Sequence, residues 1–189
     1  METLAVTGYK PHECGIFTEK HPGVAIIKEA LKRRMIGFIE EGVQWFITSG
    51  ALGVEIWASE TVIELKQDYP NIRLAILTPY LNQELRWKAP LQEKYHAVIA
   101  AADYVASITK RPYESPAQLR LKNDFIVRKT DALLMVYDDE QPGSPIYYLE
   151  AAKNKQKHND YPIFYINQYD LEDVGFDLRD QIAPNEFES

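Results

Sequence analysis

Two kinds of apolar pattern alternate along the chain. Short, mainly apolar runs stand at 4–6, 45–48, 72–77, 104–108, 131–137 and 163–166, as strands buried on both faces require. Between them apolar residues recur every three or four positions, the period of a helix. Val24, Ile27, Leu31, Met35, Phe38 and Ile39 trace one face over 24–41, with Pro22 near its start and Gly42 just past its end. Val54, Trp57, Ala58, Thr61, Val62 and Leu65 do the same over 54–68, before Pro70. A third helical stretch, 81–102, is expected in two pieces around Pro90. Helices over 117–129 and 145–157 follow, and the acidic tail from Asp170 reads as a peripheral helix with a loose end. Strands separated by helices predict an α/β fold, a doubly wound and mainly parallel sheet with helices on both faces.

Length and charge narrow the partners. A chain of 189 residues, 46% hydrophobic, suits one domain over 1–189, with 170–189 as its peripheral tail. A net charge of −7 argues against broad binding of nucleic acid or anionic membrane, leaving room for a local basic pocket. One cysteine, Cys14, excludes an internal disulfide and fits a reducing compartment. No apolar run reaches the roughly 20 residues of a bilayer span, and the N-terminus does not read as a signal peptide. The expected location is the cytoplasm, and a homo-oligomer is left open.

The candidate chemistry gathers at strand exits. Ser49-Gly50-Ala51-Leu52-Gly53 joins the second strand to its helix, and such a turn directs backbone N–H groups at an anion. Glu55 sits in the first helical turn, where it either serves the helix dipole or accepts ribose hydroxyls and acts as the acid–base group. Gly8 and Lys10 follow the first strand and can face a ligand. His12, Glu13 and Cys14 lack further partners at metal-ligand spacing, so no metal is expected. Trp87 between Arg86 and Lys88 suits stacking on a base or packing on the surface, while His96 reads as structural. Arg111, in the proline-bounded loop RPYESP (111–116), is expected to grip phosphate, the alternative being a surface pair with Glu114. Asn123 is placed to reach a ligand. Gly143 and Ser144 precede Pro145 at a second helix start, where Ser144 is expected to cap and the two residues to form a second anion-binding site, the alternative being plain capping.

Taken together, TGYKP (7–11), SGALGVEIWASE (49–60), TPY (78–80) with Trp87, RPYESP (111–116) and YDDEQPGSPIYY (137–148) resemble the YpsA family of Gram-positive bacteria. That family is a branch of the SLOG superfamily, which also holds DNA processing protein A and the LOG-type phosphoribohydrolases. The resemblance covers nearly the whole chain. It implies a Rossmann-like sheet that binds a nucleotide or nucleotide derivative, NAD-like or ADP-ribose-like, at its carboxyl edge. Gly8, Gly50, Gly53 and Glu55 match the family pattern, with Trp57 beside them. LOG enzymes carry PGGxGT followed by glutamates after a late strand, where this chain has Pro142-Gly143-Ser144-Pro145 and only Glu150 nearby. The resemblance therefore implies a ligand-binding regulator or sensor, with links to stress response and to a protein partner in cell division. N-glycosidic hydrolysis through Glu55, and a recruiting scaffold with a vestigial pocket, stand as alternatives.

Overall fold

The structure, a computed structural model, describes residues 1–182. Six strands alternate with six helices: β1 (Thr3–Gly8), α1 (Pro22–Glu40), β2 (Trp45–Thr48), α2 (Val54–Leu65), β3 (Arg73–Thr78), α3 (Ala89–Ala101), β4 (Tyr104–Ser107), α4 (Ala117–Lys129), β5 (Ala132–Val136), α5 (Ile146–Gln156), β6 (Ile163–Ile166) and α6 (Gln168–Ile182). All neighbouring strands run parallel, in the order β4-β3-β2-β1-β5-β6.

The apolar runs become strands because they are covered on both sides. Every residue of β5 is buried, and Leu4, Ala5 and Val6 of β1 are sealed between β2 and β5. α1 packs on α2 and α6, and α2 on α3, whereas α4 packs on α5. Right-handed crossovers then put α1, α2, α3 and α6 on one face and α4 with α5 on the other. α2 is flanked by α1 and α3, which explains why its polar side shrinks to Glu60 and Glu64, both paired with Lys28. Val54, Trp57, Ala58 and Val62 are all fully buried.

Three local expectations change. Residues 81–88 form turns, and α3 is one helix beginning at Ala89, with Pro90 in its first turn where its missing N–H costs nothing. Ser144 does not cap α5: Pro145 takes the cap position without a side-chain hydrogen bond, and the serine hydroxyl is used elsewhere. The acidic segment 170–182 belongs to α6, which lies against α1 through buried Val174 and the Arg33–Asp177 ion pair of 2.6 Å; the rest of the expected tail lies outside the described residues. Among the described residues no helix is long and apolar enough to cross a membrane.

Candidate functional site

β1 and β5 are neighbours, yet their following helices leave on opposite faces. This is the switch point of the sheet, where open α/β sheets bind ligands outside the strands' carboxyl ends. The loops after β1, β2 and β5 meet there, and each is fixed by an identifiable contact.

The loop after β2 closes on Glu55. That side chain is 3% exposed. Its Oε1 accepts the Thr7 hydroxyl at 2.8 Å, and its Oε2 accepts the N–H of Ser49 at 2.9 Å, the N–H of Ala51 at 3.3 Å and the Ser49 hydroxyl. The N–H groups expected to meet a phosphate are thus turned onto a carboxylate of the chain itself. Ser49 serves that carboxylate, and Glu55 is pinned rather than exposed for acid–base work.

The glycines owe their places to packing. Gly53 has φ +93°, and a Cβ there would stand 2.5 Å from the Tyr9 carbonyl oxygen. A Cβ on Gly8 would stand 2.6 Å from Val54, and one on Gly50, at φ +72°, 3.1 Å from the Tyr95 ring. These positions bring the β1 and β2 loops together, with the Val54 N–H donating to the Tyr9 carbonyl at 3.1 Å.

The second helix start also holds a carboxylate of the chain. Glu13, in the 3-10 turn Pro11–Cys14, accepts the Ser144 N–H at 2.7 Å, the Ser144 hydroxyl at 2.6 Å and the Lys10 N–H at 2.9 Å. Burial raises the Glu13 carboxyl, but the hydrogen bonds from Ser144 and Lys10, with the nearby His12, outweigh it and leave a net lowering. Gly143 has no room for a side chain against this carboxylate. Tyr9 locks the neighbouring loop: its hydroxyl donates to the Gln141 carbonyl at 2.6 Å and accepts the Asp138 N–H at 2.8 Å.

Beneath these loops lies Lys122 of α4, 6% exposed, with no carboxylate within ion-pair distance among the described residues. Its ammonium sits 4.5 Å from the centre of the Tyr148 ring and 3.5 Å from that hydroxyl. Burial pushes its pKa down; the Glu55 charge opposes the fall and the exposed Lys10 adds to it. Burial, and then the Glu55 charge, push the Tyr148 phenol well above its ordinary value. Asn123, next along α4, is 6% exposed, and its Oδ1 has no hydrogen-bond partner. A buried amide oxygen without a donor costs about 1–3 kcal/mol.

The remaining expected residues lie elsewhere. Trp57 is fully buried in the core, with its indole N–H on Glu19 at 3.1 Å. Trp87 packs edge-on against Tyr95 at 5.2 Å. Arg111 pairs with Glu114 at 3.3 Å on the open surface, so the surface alternative describes its geometry. The RPYESP loop is instead held by Gln118, whose carbonyl accepts the N–H groups of Glu114 and Ser115 and whose amide donates to Thr109 and to the Pro112 carbonyl. Sequence reasoning missed Lys122, Tyr148 and Gln118. Gln118 and Lys122 stand with Ile126 at four-residue spacing on the buried face of α4, so polar residues in an apolar stripe were the available signal.

The fold and the sequence have known counterparts. DNA processing protein A from Helicobacter pylori, described for its single-stranded DNA binding mode, superposes with a TM-score of 0.52 over 95% of this chain and 81% of its own at 15% identity, a likeness of fold. A UPF0398 protein of Halalkalibacterium halodurans is 55% identical over 172 residues, 91% of each chain. A UPF0398 protein of Bacillus thuringiensis is 52% identical over 174 residues, 92% of this chain and 95% of its own. The YspA SLOG family profile matches residues 4–171, and the chain belongs to that family.

Proposed function

We propose that this protein binds a nucleotide or nucleotide-derived anion, of the NAD or ADP-ribose kind, at the switch point, and acts as a regulator or sensor of it. The observation that carries this reading is found at two consecutive buried residues of α4: Lys122, an ammonium without an acid partner, and Asn123, an amide oxygen without a donor. An anionic oxygen would satisfy Lys122, and a ribose hydroxyl would supply the donor that Asn123 lacks. With Glu55 held by four hydrogen bonds, the site suits recognition better than turnover.

Thermal melts and calorimetry with AMP, ADP-ribose and NAD test the reading. At least one should raise the melting temperature of the wild type, and Lys122→Met should remove that shift while leaving the unliganded protein folded. No shift across the panel sinks it. Release of base or ribose phosphate from these ligands, lost in Glu55→Gln while binding persists, would favour the hydrolase instead.

A second reading rests on a separate groove of about 420 Å³ beyond β3 and β4. Tyr80 and Tyr113 meet there edge-on at 5.1 Å, with Arg86 in the same lining. Aromatic faces beside a cation suit single-stranded nucleic acid, the ligand named for the Helicobacter pylori protein. Fluorescence anisotropy with a labelled 20-nucleotide dT strand distinguishes it: binding lost in Tyr113→Ala but kept in Lys122→Met supports this groove.

A further inference from the structure

β4 is an edge strand left open. It pairs with β3 alone among the described residues, and its sequence, Tyr-Val-Ala-Ser, carries no charge, proline or bulge. Of the devices that blunt edge strands in monomeric proteins it has shortness alone, at four residues. Both faces of this one meet solvent: Tyr104 is 55% exposed and Val105, on the opposite face, 42%. On the α4 side the strand borders a groove of about 550 Å³, floored by Trp45, Leu77, Tyr104, Ala106 and Ile108 and walled by Phe125. Parallel sheets are ordinarily covered on both faces. Here two helices serve one face and four the other, and the strip beside β4 stays uncovered, with an apolar floor and Lys110 and Lys129 in the same lining.

We propose that β4 is the two-fold interface of a homodimer, pairing antiparallel with β4 of a second copy. The strand is self-complementary in that arrangement. With the axis at Ala106, two small residues meet at the centre, and Tyr104 lies opposite the second copy's Ile108, an aromatic–β-branched cross-strand pair formed twice. The edge alone is too small for a stable contact, for which about 800 Å² per partner is usual. The groove floor extends it, because the second copy's Tyr104 and Ile108 emerge on the same face.

Sedimentation or light scattering on the full chain from about 1 to 100 μM tests the pairing. The wild type should show twice the chain mass, and Tyr104→Glu a single mass with an unchanged circular dichroism spectrum. In a Cys14→Ser background, Ala106→Cys should self-link on oxidation, because directly opposed strand residues stand about 4.5–5.5 Å apart at Cα. Val105→Cys, displaced from the axis, should not. A monomeric wild type at the highest concentration overturns the proposal, as does a Tyr104→Glu dimer or a dimeric Ala106→Cys variant that fails to self-link.

Discussion

Lys122 illustrates how a single residue reveals a site. A lysine buried against Tyr148 without an acid partner loses hydration that the Tyr148 hydroxyl and ring and the Glu55 charge offset only in part, since its pKa still falls. Its pKa is lowered from 10.5 on folding, so between the folded value and 10.5 the unfolded chain binds more protons. Stability gains from rising pH across that window, and thermal melts should show the gain in the wild type and its loss in Lys122→Met. At pH 7 the methionine variant should match or exceed the wild type, since an apolar side chain of similar length removes the desolvation cost. Gly53 makes the opposite case. Its φ of +93° and its approach to the Tyr9 carbonyl mean that Gly53→Ala should lose about 3 kcal/mol or more in denaturant titration. That position therefore reports on folding before it reports on a ligand.

At the scale of elements, polar side chains decide how loops and strands are tied. Gln118 is 1% exposed and its amide holds four groups of the 109–115 segment. Gln118→Leu should leave two N–H groups without acceptors, cost about 2–4 kcal/mol, and raise protease sensitivity near Pro112 before any other site. Asp131 ties β1 to the start of β5, accepting the N–H groups of Glu2 and Thr3 at 2.8 and 2.9 Å. The Glu2 N–H is the main reason its carboxyl lies below the ordinary value, with burial opposing and Thr3 adding. A lowered carboxylate stabilises above about pH 4 and loses that contribution as pH falls through its folded value. Asp131→Asn should therefore be less stable than wild type at pH 7, and the gap should close in acid melts below pH 4.

The same ties explain what the sequence disclosed. β5 and α1 were legible because a run such as Ala132–Val136, or a repeat such as Val24–Ile27–Leu31–Met35, carries its own burial pattern. The glycine turns were legible as turns that face an anion, whereas the structure packs Gly8, Gly50 and Gly53 against Val54, Tyr95 and the Tyr9 carbonyl. What fills them was not legible, because the filler is distant: Glu13 and Ser144 are 131 residues apart, and Thr7 and Glu55 are 48 apart. Trp57 misled for a related reason, since a tryptophan beside a loop motif looks available until the helices around α2 enclose it.

For the molecule as a whole, charge is unevenly placed. Between Tyr104 and Thr130 six lysines and arginines face two acids, within a chain of net charge −7. The basic side of the protein is thus the β4–α4 side, and a phosphorylated ligand should approach from it, with an association rate that falls as salt rises; stopped-flow binding at two ionic strengths reads this. The strand order has a consequence for synthesis as well. β1 is made first but lies centrally, and one of its two neighbours, β5, is residues 132–136. At ribosomal speeds of about 5–20 residues per second, β1 waits about 6–26 s and β2 about 4–18 s for β5 to be polymerised. During that interval the most apolar edge in the sheet stands unpaired in the nascent chain. A force-sensitive translational arrest assay should accordingly register one late folding event, after β5 has left the exit tunnel, and none when β1 and β2 alone have emerged.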